Sequence, residues 1–268
     1  MVSVGLVGCG TIGTQLALAL QRTYPHVSRI AALHDAEPLR ARALSSRLRA
    51  HPPVVSLPQL IRRSQLVLEA ASADAAREVI RRALRANRHV FIMSVGGLLR
   101  DSSWQRLARR SRSRVYIPSG ALAGLDGVKA MALGPIRSLS LTTRKPPKAL
   151  SAAPYVRRRG LRLERLRRPM VVFEGSPRAV VEAFPQNTNV AAALTLAGGR
   201  SGARLRVRVV ADPTIRRNIH ELDVEGACGR LRCRIESVPS ANPKTSELAV
   251  QSAIATLGRI FDPISIGT

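Results

Sequence analysis

VSVGLVGCGTIG, residues 2–13, decides the fold. Val2 to Val7 is a short apolar run suited to a strand, and Ile12 to Gln21 carries apolar residues at helical spacing. Between them Gly8-Cys9-Gly10-Thr11-Ile12-Gly13 forms a GxGxxG turn. In such a turn Gly8 permits the tight bend, Gly10 lets the backbone approach a pyrophosphate, and Gly13 allows close helix–strand packing. The helix start at Thr11 and Ile12 then offers unpaired N–H groups and a positive dipole end to phosphate. Asp35 follows 22 residues after Gly13, at the end of the next strand-like run, Arg29 to Leu33. A carboxylate there accepts hydrogen bonds from ribose hydroxyls and repels a 2′-phosphate, which favours NAD; Arg40 and Arg42 nearby keep NADP open.

The same alternation continues outward. Pro38 to Arg49, Ala73 to Ala86 and Ser103 to Arg112 have helical patterns, and Leu66 to Ala71, His89 to Ser94 and Arg114 to Ile117 have strand patterns. Strands alternating with helices imply crossover units and a parallel sheet, so residues 1–125 are expected to form a doubly wound Rossmann domain. Small and polar clusters close three of these strands: Glu69-Ala70-Ala71-Ser72, Ser94-Val95-Gly96-Gly97 and Pro118-Ser119-Gly120-Ala121. Ligands of open α/β sheets bind at that edge, which makes Ala71, Ser72 and Ser94 cofactor-binding candidates.

After Gly127 the rhythm changes. Ser138 to Thr143, Met170 to Phe173, Arg204 to Ala211, Ile219 to Glu225 and Arg230 to Ser237 are expected strands, the last three as an antiparallel meander. Leu205, Val207 and Val209 alternate with arginines, as do Leu231, Cys233 and Ile235, so the sheet has one buried face and one wet arginine face. Helices are expected over Pro177 to Ala183, Thr188 to Ala197 and Thr245 to Ile260. The stretch Pro146 to Pro169, rich in Pro and Arg, looks least ordered. The expected organisation is therefore a second, α+β domain over 126–244 with a mostly antiparallel sheet. The terminal helix, within 245–268, packs back on the first domain.

Charge is the unusual bulk property: 43 Lys and Arg against 17 Asp and Glu, a net +26, with 39 of the cations arginine. A strongly basic domain attracts polyanions. The arginines are dispersed, however, and eight aromatic residues make a poor base-stacking platform, so nucleic acid is not the expected partner. An anionic cofactor and substrate still benefit from the positive field. Three cysteines, Cys9, Cys228 and Cys233, form no CxxC pair or metal-ligand cluster, and no metal is expected. No apolar run reaches the length of a membrane span, and the amino terminus enters a strand directly, with no leader pattern; a cytoplasmic protein with no membrane partner is expected.

Of the five histidines, His220 differs by lying within a strand, in Asn218-Ile219-His220-Glu221. On position alone a structural role is the more economical reading. Resemblance reverses this. VGLVGCGTIG (4–13), EAAS (69–72), SVGGL (94–98), PSGALAGLDG (118–127), LTTRKP (141–146), FEGS (173–176), PQNTNVAAALTLAG (185–198), ADP (211–213), NIHE (218–221) and NPKTS (242–246) together resemble the L-aspartate dehydrogenase family over nearly the whole chain. Residues 147–168 match no pattern of that family.

The resemblance implies a homodimer that oxidises L-aspartate to iminoaspartate with NAD or NADP. The product hydrolyses to oxaloacetate and ammonia or feeds quinolinate and pyridine nucleotide biosynthesis. It also implies His220 as the catalytic histidine, with nicotinamide-side contacts at Ala121 and Asn189. An imidazole suits general acid–base work on the amine or on an attacking water. The amides of Asn187 and Asn189 suit nicotinamide or substrate, and Lys145, Arg144, Lys244 and the Thr245 hydroxyl are candidates for the two substrate carboxylates. The alternatives are another Rossmann reductase, resembling dihydrodipicolinate reductase or homoserine dehydrogenase, and a non-enzymatic NAD- or nucleic-acid-binding relative.

Overall fold

A computed structural model describes residues 1–185, 189–238, 240, 246–264 and 266–267. The chain divides into two compact units, one of Met1–Pro118 with Val250–Ser265, the other of Ser119–Ala249 with Ile266–Thr268.

In the first unit the strands β1 (Val2–Val7), β2 (Ser28–His34), β3 (Leu66–Glu69), β4 (His89–Ile92) and β5 (Val115–Tyr116) form an all-parallel sheet in the order β2-β1-β3-β4-β5. Val54 makes an isolated parallel bridge to Leu33 on the outer side of β2, the trace of a further strand. Order reverses at β1, the switch point where doubly wound sheets bind ligands. The connecting helices are α1 (Thr11–Thr23), α2 (Pro38–Arg47), α3 (Leu57–Arg63), α4 (Ala73–Arg85) and α5 (Ser103–Arg110). Helix α3 is absent from the sequence expectation: seven residues carry too little periodicity, although Ser56 and Gln59 form a capping box at its start. Val95–Arg100 is a short 3-10 segment. The core joins Leu6, Leu16, Leu33, Leu68 and Phe91 to Ala253 and Leu257 of the last helix, which belongs to this unit from Val250 onward.

The second unit holds α6 (Leu125–Met131), β6 (Ile136–Lys145), α7 (Pro147–Leu150), α8 (Pro154–Arg158), β7 (Met170–Gly175), α9 (Pro177–Ala183), α10 (Asn189–Gly198), β8 (Leu205–Ala211), β9 (Asn218–Gly226) and β10 (Gly229–Ser237). The last helix, α11, runs from Glu247 to Phe261. The expected meander does not form. Sheet order is β10-β9-β6-β8-β7, so β6 lies between β9 and β8, antiparallel to the first and parallel to the second. Ten residues long, with Leu139 and Leu141 almost wholly buried, β6 takes the centre, and only β9 and β10 remain a hairpin.

The stretch between Pro146 and Pro169 is also more ordered than its composition suggests. It carries α7, α8 and a 3-10 turn at Leu163–Arg165, and Leu150, Val156 and Leu163 seat in the core against Leu139, Val172, Phe184 and Leu194. Three apolar anchors outweigh the surrounding arginines.

The other sheet face carries charge in columns. Glu174 meets Arg206 and Arg208, Asp223 meets Arg230 and Arg232, Glu221 meets Arg144 and Arg234, and Glu225 meets Arg137. The arginine rows are thus cross-strand ion pairs. Exposed pairs of this kind contribute little each, but they remove a bare cationic stripe. Among the described residues no helix is long and apolar enough to cross a membrane.

If Leu163 anchors its segment, Leu163→Ala lowers unfolding stability by about 2–5 kcal/mol. Urea denaturation checks this, and an unchanged midpoint contradicts it.

Candidate functional site

The glycine turn is built from its steric limits. Gly8 has φ +92°, a left-handed conformation, and a Cβ there would lie 2.6 Å from the Ala70 backbone. A Cβ on Gly13 would collide with the Gly8 carbonyl oxygen. A Cβ on Gly10 would meet nothing within 4 Å. Two of the glycines are therefore required by the protein itself, while Gly10 faces open space. Gly10 also caps α1 without a side-chain hydrogen bond, and no acidic residue sits in the first turn at Thr11, Ile12 and Gly13. Such a terminus fits a phosphate of NAD or NADP, whose chemistry is hydride acceptance.

Two carboxylates brace the strand ends around it. Asp35 accepts the Cys9 N–H at 2.6 Å and the Glu37 N–H at 2.8 Å, tying the end of β2 to the glycine turn. Glu37 in turn pairs with Arg40 at 2.9 Å. Glu69, fully buried, accepts the Ala71 N–H at 2.8 Å, the Ser94 N–H at 3.0 Å and the Ser94 hydroxyl at 2.8 Å. It joins the loops after β3 and β4, and burial pushes its carboxyl above the ordinary range while those donors pull the other way. Ser72 accepts the Ala75 N–H at 3.2 Å, which makes it the N-cap of α4. Burial, with help from Asp35, drives the Cys9 thiol up to about 12, so it is no nucleophile near neutral pH.

The second cluster lies wholly within the second unit. On β6 the core face reads Leu139, Leu141, Thr143, Lys145, apolar at first and polar at the carboxyl end. On the antiparallel β9 the core face reads His220, Leu222, Val224. Register sets Thr143 opposite His220. The Thr143 hydroxyl lies 3.0 Å from His220 Nδ1, with both residues buried. Burial holds the Lys145 ammonium down at about 8. Burial first, and the Lys145 charge second, hold the His220 imidazole down at about 3. The resting pair is therefore a neutral ring beside a cation that titrates near physiological pH.

Arg144 is not part of this cluster. It lies one residue out of phase, on the opposite face, engaging Glu221 at 3.0 Å and Asp212 at 3.9 Å. Ala121 is buried in the turn before α6, and Asn189 is the exposed first residue of α10; both belong to the second unit. Asn187, Lys244 and Thr245 lie outside the described residues. Among the described residues no three His, Cys, Asp or Glu side chains gather as a metal site. Thr143 and the bracing role of Glu69 escaped the sequence reading. The signal for Thr143 was its phase: it shares a face with Leu139, Leu141 and Lys145.

Residues 126–260 match the family model for the aspartate dehydrogenase carboxy-terminal domain, and residues 8–118 match that for the homoserine dehydrogenase NAD-binding domain. An L-aspartate dehydrogenase of Methanosarcina barkeri is 41% identical over 273 residues, covering 100% of both chains. One from Bradyrhizobium diazoefficiens is 37% identical, covering 99% of this chain and 94% of its own. The chain belongs to the L-aspartate dehydrogenase family. The crystal structure of aspartate dehydrogenase from Thermotoga maritima shares the fold, with a TM-score of 0.73 at 24% identity over 100% of both chains. The family's L-aspartate dehydrogenase name thus attaches to a chain whose second unit carries the buried His220–Thr143 pair with Lys145 beside it.

The glycine geometry separates two substitutions. Gly10→Ala leaves the melting temperature unchanged and weakens NADH binding about tenfold or more, because the new methyl occupies the space where a phosphate approaches. Gly13→Ala disturbs the turn itself and lowers the melting temperature. Thermal melts with NADH fluorescence titration check both, and full NADH affinity in Gly10→Ala contradicts the assignment.

Proposed function

We propose that the protein oxidises L-aspartate to iminoaspartate, with NAD or NADP bound at Gly8, Gly10, Thr11, Ile12 and Gly13 as hydride acceptor. The observation that carries this reading is the buried, neutral His220 next to the cationic Lys145 on the core face of the second sheet. Buried titratable pairs with strongly shifted pKa values concentrate at functional sites.

Hydride can leave C2 only when the amine lone pair is free to form the C=N bond. His220 takes the proton that frees it, or takes one from the water that attacks the imine. Lys145 holds a substrate carboxylate, with Lys244, Thr245 and Asn187 as further substrate contacts. An anion at Lys145 offsets the smaller of the two causes that keep the imidazole neutral, burial being the larger, so arrival of the substrate raises the basicity of His220 by that part. Ala121 and Asn189 contact the nicotinamide side, and Ala71, Ser72 and Ser94 line the cofactor groove. Asp35 places a carboxylate at the end of β2, which disfavours a 2′-phosphate and favours NAD, while Arg40 beside Glu37 keeps NADP open. The working form is a homodimer in the cytoplasm. Iminoaspartate then hydrolyses to oxaloacetate and ammonia or enters pyridine nucleotide biosynthesis. The dinucleotide-binding role belongs to residues 1–125 and the substrate role to 126–244.

Absorbance of reduced nicotinamide with L-aspartate, D-aspartate, L-glutamate and L-homoserine in turn tests the substrate. Only L-aspartate is expected to drive reduction of the cofactor, and L-homoserine in its place overturns the reading. His220→Ala is expected to cost ~10²–10⁴-fold in kcat with folding intact. Near-normal turnover would remove the imidazole from the mechanism.

A further inference from the structure

The His220 imidazole has two nitrogens, and one of them, Nδ1, already faces a side chain of the protein. Nδ1 is 3.0 Å from Thr143 Oγ1. A neutral ring carries one N–H and one lone pair, and a threonine hydroxyl can pair with either. If the hydroxyl donates to Nδ1, the proton sits on Nε2 and no accessible lone pair remains. If the hydroxyl accepts from Nδ1–H, Nε2 is left with its lone pair.

We propose that Thr143 is a positioning residue whose hydroxyl accepts the Nδ1–H of His220, fixing the ring in the tautomer that presents Nε2 as the proton acceptor. The inference rests on the reading of His220 given above. The direction of the bond follows from that reading, and three features of the site hold the two groups in contact. Thr143 and His220 are register partners on adjacent antiparallel strands, so the ladder sets the distance between them. Threonine is branched at Cβ, which restricts the torsion that aims its hydroxyl. Both residues are buried, so water does not compete for Nδ1 as it would at a surface.

Proton accounting agrees. When Nε2 takes the proton from the substrate ammonium, the amine keeps the electron pair of the broken N–H bond and the ring becomes imidazolium. The Nδ1–H···Oγ1 bond persists through this change and strengthens, because its donor is now charged. Thr143 therefore eases a protonation that the neighbouring Lys145 opposes. The ring and its orienting hydroxyl do not have to rearrange between the two states.

Thr143→Val keeps the shape of the side chain and removes the acceptor, leaving a buried N–H without its partner. It is expected to lower kcat about 10–100-fold with KM for L-aspartate nearly unchanged. Thr143→Ser restores the hydroxyl and is expected to recover most of kcat. In 15N-resolved NMR of the wild-type imidazole, Nδ1 is expected to show the shift of a protonated ring nitrogen and Nε2 that of an unprotonated one. Thr143→Val is expected to lose that signature. Wild-type kcat in a folded Thr143→Val protein, or a wild-type ring protonated at Nε2, overturns the proposal. The NMR experiment needs no variant, so a poorly folding Thr143→Val leaves the test intact. If His220→Ala loses activity while Thr143→Val does not, the positioning role alone fails. If His220→Ala is itself active, the reading of the base fails with it.

Discussion

Lys145 and His220 are turned inward, onto the face of a sheet that otherwise buries Leu139, Leu141, Leu222 and Val224. Taking an ammonium and an imidazole out of water carries a desolvation cost, which the fold meets at one end of its central strand. The consequence is chemical. Burial lowers both groups, and the cation deepens the effect on the ring, so the imidazole stays uncharged. A surface histidine in ordinary solvent would be half protonated near its usual value and weakly oriented. Here the ladder between β6 and β9 fixes the backbone, Thr143 meets the ring, and the chemistry of the site follows from position.

The opposite face of the same sheet handles charge in the contrary way. Its arginines stay at the solvent side and meet carboxylates on adjacent strands, Asp223 taking Arg230 and Arg232 and Glu174 taking Arg206 and Arg208. Alternation along each strand separates the two regimes, since neighbouring residues point to opposite faces. Arg144 and Lys145 are adjacent in the chain and differ in fate for this reason alone. In the first unit, carboxylates are used as braces: Asp35 ties the glycine turn to β2, and Glu69 ties the loop after β3 to the loop after β4. The edge that a dinucleotide would meet is held by acceptors engaged with the protein's own backbone.

The first unit was legible because its information is local. A strand, a glycine turn and a helix follow one another within residues 2–23, and crossover connections join parallel neighbours. The second sheet was legible strand by strand but not in its order. Alternation marks a strand and its buried face, yet nothing local states that β6 inserts between β8 and β9, a pairing that spans 77 residues from Thr143 to His220. The Thr143–His220 contact was hidden for the same cause, although phase alone put Thr143 and Lys145 on one face. The arginine-rich stretch before β7 misled by composition, because three well-spaced anchors, Leu150, Val156 and Leu163, suffice to seat it. His220 itself was singled out by family likeness, since a lone strand histidine has no distinguishing local pattern.

The most direct measurement is the protonation of the His220 ring, followed by NMR titration through about pH 5 in the free protein and with saturating succinate as a non-reactive anion. An unperturbed imidazole, with a pKa of about 6.5, is largely charged at that pH. The ring is expected to be neutral in the free protein at that pH. Succinate, by opposing the Lys145 charge, is expected to raise the midpoint by the part that the cation contributes, while burial keeps it below the ordinary histidine range. A ring already charged in the free protein at that pH, or a midpoint indifferent to the anion, would contradict the role given to Lys145 and His220.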